Sequence, residues 1–109
     1  MNTISEKDFI TVVSTGVTLV DFYAVWCKPC SNLMTVIERM VEPKFDTVQF
    51  VKIDIEENPT VAREHNIKSV PSFFVYKDGV QVESLTGVQS AASLNEAISR
   101  HAYSDELDT

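Results

Sequence analysis

Two kinds of apolar pattern alternate along the chain and together predict an α/β fold. Residues 17–24, 48–55, 72–76 and 80–86 form short runs rich in β-branched and aromatic residues, which is typical of strands. The segments between them carry apolar residues three or four positions apart, as amphipathic helices do. We therefore expect the order helix, strand, helix, strand, helix, hairpin, helix, with the first strands parallel and the last two antiparallel.

Capping residues and prolines set the expected helix ends. The four helices are predicted at residues 5–15, from about 27 to Pro43, at 59–66 and at 90–103. Ser5 and Asp8 occupy the positions of a capping box in the first helix. In the hairpin, Asp78 and the following glycine predict a tight turn.

Length and charge narrow the function classes. The chain has 109 residues and a formal net charge of -7. Residues 1–103 are expected to form one domain and residues 104–109 an acidic tail. The negative charge argues against nucleic-acid binding. No apolar run is long enough to cross a membrane, and the polar start does not resemble a signal peptide, so we expect a cytoplasmic protein.

The chain has only two cysteines, Cys27 and Cys30. In a reducing cytosol such a pair favours metal or redox chemistry over a structural disulfide. A zinc site would need four ligands, and only His65 and His101 could join the cysteines. Neither histidine lies at a short ligand spacing, and His65 is expected to face solvent, so we predict no metal site. Two inert core cysteines are the remaining alternative.

The position of the two cysteines favours redox chemistry. Cys27 falls where the second helix should begin, and the helix N-terminus stabilises a thiolate there. Cys30 follows one turn later on the same face, so it can attack a mixed disulfide formed at Cys27. Pro29 stiffens the turn between them.

Asp21 interrupts the apolar run that precedes the cysteines. If the strand is covered on both faces, an unpaired carboxylate costs several kcal/mol. One response is protonation, through a pKa that is raised by up to about 3–5 units. The other is pairing with a cation, and Lys52 in the next strand is the candidate. An Asp21 that points outward at a sheet edge is equally compatible with the spacing.

The segment "VDFYAVWCKPC", residues 20–30, resembles the active-site segment of the thioredoxin family. The likeness continues through "VKIDIEENPTVAREHNIKSVPSFFVYKDGV" and "TGV", and it covers residues 2–102 without a large insertion. The resemblance implies a thioredoxin fold, in which a central mixed sheet of about five strands is flanked by four helices.

The resemblance also implies residue roles. Cys27 would be the attacking thiol and Cys30 the resolving thiol. Asp21 would assist proton transfer to and from Cys30, with Lys52 as its neighbour. Pro71 would follow a cis peptide bond and face the disulfide. The apolar rim that receives protein partners would consist of Trp26, Pro29, Val70, Gly87 and Val88.

The implied function is that of a small, monomeric protein disulfide reductase and electron carrier. It would act on protein disulfides and be regenerated by a thioredoxin reductase, without a metal or bound cofactor. Lys28 stands where the family usually has glycine, and we expect it to modulate the site. Two alternatives stay open: a disulfide oxidase or isomerase, which Lys28 favours, and a partner-binding subunit with little turnover.

Overall fold

The computed structural model describes residues 1–103 and contains one five-stranded mixed sheet. The strand order is β1-β3-β2-β4-β5, in which β1, β3 and β2 are parallel and β4 and β5 are antiparallel to their neighbours, as predicted. The expected tail at 104–109 lies outside the described residues. The strands are β1 (Asn2–Thr3), β2 (Val17–Tyr23), β3 (Val48–Asp54), β4 (Ser72–Lys77) and β5 (Val80–Thr86).

Four α-helices cover the two faces of the sheet. Successive strand residues point to opposite faces, so β2 sends Leu19 towards α2 and α4 and Val20 towards α1 and α3. Both faces of the central strands are therefore buried, which explains their nearly continuous apolar sequence. The helices are α1 (Phe9–Val13), α2 (Lys28–Met40), α3 (Pro59–Glu64) and α4 (Ala91–Ser99).

β1 is the element that the apolar pattern does not reveal. It has two polar, exposed residues, and backbone pairing places Asn2 opposite Val51 and Thr3 opposite Lys52 of β3. The amide of Ile4 then donates to the carbonyl of Lys52 at 2.9 Å. This strand is defined by its main-chain hydrogen bonds to β3, and the pattern of apolar side chains does not indicate such bonds.

The predictions for the first and last helices were too long. The first begins as a 3-10 turn at Glu6–Asp8, and the Ser5 hydroxyl donates to the Asp8 carboxylate at 3.3 Å instead of capping the helix. At the other end of the chain, α4 stops at Ser99, and the ring of His101 turns towards Glu83 of β5 at 2.7 Å. The first contact is local, whereas the second joins the end of the last helix to β5.

The prediction that His65 faces solvent was wrong. His65 lies just beyond the end of α3, and its ring packs against Phe9, Phe22 and Phe74. Its Nδ1 lies 2.8 Å from the carbonyl of Val61, and its Nε2 lies 2.6 Å from the hydroxyl of Tyr76. The ring therefore connects α3, through Val61, to β4, through Tyr76.

The turn between β4 and β5 forms where predicted. Asp78 and Gly79 both have positive φ, at 50° and 84°, which the two-residue hairpin turn requires. The Asp78 carboxylate also accepts from the amide of Gly16 at 2.8 Å. This contact joins the hairpin to the loop in front of β2.

Glu6 caps α3 from another part of the chain. One carboxylate oxygen of Glu6 accepts from the amides of Thr60 and Val61 at 2.9 and 3.0 Å. Asn58, the residue in front of this helix, makes no cap bond and instead accepts from the amide of Glu6 and donates to the carbonyl of Asp54. The first turn of the chain is thereby fastened to the loop after β3.

We predict that Glu6→Ala lowers the free energy of unfolding by about 1–2 kcal/mol, because two helix amides lose their acceptor. Glu6→Gln should retain most of the stability, since its amide oxygen still accepts. Lys7→Ala, at an exposed site in the same turn, is the control. Denaturant unfolding measures all three, and equal losses in Glu6→Ala and Glu6→Gln would contradict the capping role.

Candidate active site

A disulfide joins Cys27 and Cys30 at the N-terminus of α2. Cys27 is the N-cap residue, and its Sγ accepts from the backbone amide of Cys30 at 3.2 Å. The prediction that Cys27 stands at the start of this helix is confirmed. The pair forms one bond and packs with Ala24, which excludes the alternative of two separate, inert core cysteines.

The two sulfurs differ in accessibility. Cys27 retains 5 % of its surface, whereas Cys30 is fully enclosed. The carbonyl oxygen of Val70 lies 4.0 Å from Sγ of Cys27. In the part of the chain that the structure describes, Cys27 is therefore the partly accessible sulfur of the pair, and it lies next to the backbone of Val70.

The loops around the disulfide form a continuous surface. The Val70–Pro71 peptide bond is cis, as the resemblance implies. The carbonyl of Pro71 accepts from the amide of Gly87 at 2.9 Å, which joins the loop before β4 to the loop after β5. Val88 follows and is 65 % exposed. These expected rim residues are thus brought together beside the disulfide.

Trp26 projects from this surface and is 67 % exposed. Its indole nitrogen donates to the Glu56 carboxylate at 3.0 Å. Glu56 follows β3, on the chain segment after Asp54, and nothing in its sequence context distinguishes it from a solvated acid. The contact holds the indole over the end of the sheet instead of leaving it free.

Lys28 and Pro29 occupy the first turn of α2. Lys28 is the first residue of the helix and is exposed, and Pro29 follows it where a missing amide proton costs little. The cation of Lys28 therefore stands next to Cys27 in the chain, in contact with solvent. α2 continues without interruption through Thr35.

Asp21 is completely buried in the central strand, so the outward-facing alternative is excluded. Its side chain points to the same face as Leu19, beneath α2. Neither carboxylate oxygen has a hydrogen-bond partner among the described residues. Burial raises the pKa of Asp21 from 3.8 to about 7, although the charge of Lys52 opposes the rise.

Lys52 lies opposite Asp21 in the register of β2 and β3, but the expected ion pair does not form in the described part of the chain. The ammonium instead lies 3.8 Å from the sulfur of Met34 and 5.7 Å from the centre of the Tyr23 ring. The aromatic face attracts the cation. Sequence reasoning missed Met34, whose helical spacing indicates only a core position.

Within residues 1–103, no three His, Cys, Asp or Glu side chains lie close enough together to hold a metal ion. Over the same residues, no helix combines the length and apolar character that a membrane crossing requires.

Comparisons with known proteins agree with this geometry. The thioredoxin family model matches residues 1–100. A thioredoxin from Staphylococcus aureus is 35 % identical over 98 residues, which cover 90 % of this chain and 94 % of that protein.

Solved structures give the same result. A thioredoxin from Plasmodium falciparum superposes with a TM-score of 0.83 at 32 % identity, covering 94 % of this chain and 100 % of that one. A mutant thioredoxin from Halobacterium salinarum also has a TM-score of 0.83 at 32 % identity, over 93 % of this chain and 89 % of that one.

We predict that Asp21→Asn stabilises the oxidised protein increasingly as the pH rises. The folded pKa of Asp21 lies above its ordinary value, so the wild type loses stability between about pH 4 and pH 7. The free energy of unfolding falls by at most about 4 kcal/mol over this range, since each unit of pKa difference between the folded and unfolded states corresponds to about 1.4 kcal/mol. Urea unfolding of the wild type and of Asp21→Asn at pH 4.5 and 8.5 measures the difference in their free energies of unfolding. A difference that is the same at both pH values would contradict the raised pKa.

Proposed function

The chain belongs to the thioredoxin family, and from this we propose that it is a protein disulfide reductase and electron carrier that works by dithiol–disulfide exchange. The observation that supports this function best is the Cys27–Cys30 disulfide, which stands at a helix N-terminus with only one sulfur within reach of another protein. That arrangement suits a disulfide that opens and closes.

The reaction begins on the reduced protein with the thiolate of Cys27. The amide of Cys30 and the positive end of α2 stabilise the negative charge on this sulfur. The thiolate attacks one sulfur of a substrate disulfide, a new S–S bond forms at Cys27, and the other substrate sulfur leaves as a thiolate.

Cys30 completes the reaction. Its thiolate attacks Cys27, the internal disulfide closes, and the second substrate sulfur leaves. Asp21, whose pKa is about 7, accepts the proton of the Cys30 thiol, through an intervening water, because a buried thiolate forms only when its proton has a nearby acceptor. Lys52 lies opposite Asp21 and favours the charged form of the carboxyl.

The rim positions the substrate. A partner segment in extended conformation would pair with the backbone of Val70, next to Pro71, and place its cysteine against Cys27. Trp26, Gly87 and Val88 would flank this segment. Burial of their exposed apolar surface would supply most of the binding energy.

Electrons must come from another protein, which we propose to be a thioredoxin reductase. The three glycines of the chain, Gly16, Gly79 and Gly87, do not form the glycine-rich motif that binds a dinucleotide. The protein itself would need neither a metal nor a bound cofactor. We place this cycle in the cytoplasm, with the protein acting as a monomer.

One observation favours the alternative of an oxidase or isomerase. The cation of Lys28 stabilises the thiolate of Cys27 and therefore the reduced form, which makes the disulfide more oxidising. At about 7 Å and an effective dielectric near 60, the effect is roughly 15–20 mV. A shift of this size is too small to turn a reductase into a strong oxidant.

We predict that Cys27→Ser abolishes the reduction of insulin disulfides, because the only accessible sulfur is lost. Cys30→Ser should still attack but should stop at the mixed disulfide, which mass spectrometry detects as a covalent adduct at Cys27. Turnover by Cys27→Ser at the wild-type rate would refute the proposed function.

We also predict that Lys28→Gln lowers the reduction potential by roughly 15–20 mV, since one cation near the thiolate is removed. Lys77→Gln is the matched control. Lys77 lies at the far end of β4 from Pro71, about 20 Å along the strand and beyond the screening length at physiological salt. Equilibration with glutathione measures both potentials, and equal shifts would exclude a local effect of Lys28.

A further inference from the structure

A groove of about 380 Å³ lies beside the disulfide, between α2 and the start of α4. Leu33 and Val36 of α2 line one side, and Val88 and Ala91 line the other. Pro29, which separates the two cysteines, is also part of its lining. Pro29 and Val88 belong to the expected rim as well, whereas Val70 and Trp26 do not line the groove, so the groove extends the rim away from the Val70 backbone.

The groove differs in character from most of the protein surface. The chain carries 25 acidic and basic residues and a net charge of -7, yet none of the residues that line the groove is charged. Val88, an apolar residue in its lining, is 65 % exposed. An uncharged apolar groove in an acidic surface is suited to an apolar side chain from another molecule.

Gln89 holds one wall of the groove in place. Its amide nitrogen donates to the carbonyls of Thr86 and Gly87 at 3.1 and 3.2 Å, and its amide oxygen accepts from the hydroxyl of Ser93 at 2.8 Å. These three contacts fasten the loop that carries Val88 to the first turn of α4. The groove is therefore formed before a ligand binds, which lowers the entropic cost of binding.

The groove is also connected to the reacting sulfurs. The amide of Gly87 donates to the carbonyl of Pro71, so the loop held by Gln89 is joined to the residue after Val70, whose carbonyl lies 4.0 Å from Sγ of Cys27. An extended chain advances about 3.3–3.6 Å per residue, so a residue one to three positions from a bound cysteine can reach the groove.

We propose that this groove is a subsite for one bulky apolar side chain of a protein disulfide substrate, located within three residues of the cysteine that bonds to Cys27. The proposal rests on the proposed function and adds a preference among substrates. Gln89 acts as the positioning residue of the subsite, and Val36 lies in its lining.

The probes are symmetrical disulfide-linked dimers of a short peptide, in which either sulfur gives the same product. The six positions from three residues before the cysteine to three residues after it are tested one at a time. For each position, two peptides are compared that carry either Leu or Ser there and are otherwise identical. We measure the second-order rate constant with the reduced, full-length protein. Each rate is divided by that of the same variant with Ellman's reagent, which corrects for changes in the reactivity of Cys27.

We expect the wild type to prefer Leu over Ser at one position by about five- to tenfold, as partial burial of a leucine side chain implies. Val36→Asp should reduce this ratio to about one, because it places a charge in the groove. Val80→Asp, at an exposed valine of β5, should keep the wild-type ratio. If Val36→Asp does not fold, as judged by circular dichroism, the neutral Val36→Ser replaces it, with an expected ratio below half of the wild-type value.

A Leu/Ser ratio near one at every position in the wild type would overturn the proposal, as would an unchanged ratio in the Val36 variants. A wild type that sediments as a dimer, with a Val36 variant that is monomeric, would show that a second copy of the chain occupies the groove, and this too would overturn it. Failure of the proposed function looks different, since no peptide dimer of either kind would then be reduced.

Discussion

The contact between the N-terminus of α2 and Sγ of Cys27 is the constraint around which the site is arranged. It requires that β2 end four residues before the cysteine and that the helix begin directly after it. The 13-residue helix then projects Cys30 under Cys27, where the sheet and the Val70 loop enclose it. One sulfur is left partly accessible and the other enclosed, which suits the different roles proposed for the two thiols.

The cost of the site is a charge buried in the middle of the sheet. β2 has neighbours on both sides and helices on both faces, so Asp21 is fully buried and its pKa is raised to about 7. Lys52 is held to one side by Met34 and the ring of Tyr23. Its charge acts on the carboxyl without neutralising it, and such a carboxyl can gain and lose a proton near neutral pH.

The accessible side of the disulfide is bounded by two loops that hydrogen bonds join. Gly87 bonds to Pro71, and Gln89 holds the next residues against α4. A partner therefore meets a surface whose shape is set before contact. In the proposed function the Val70 backbone binds the partner's main chain, and the neighbouring groove selects a side chain.

The sequence by itself determined the four long strands, their directions, the turn at Asp78 and the place of Cys27 at a helix start, because periodicity and local turn chemistry are properties of neighbouring residues. The resemblance implied a sheet of about five strands but did not place the fifth strand in the sequence. Only the tertiary structure decided that β1 pairs with β3, that His65 turns inward, that Lys52 contacts Met34, and that Gln89 clamps the rim. Each of these depends on segments distant in sequence, or on a side-chain orientation that the spacing of residues does not encode.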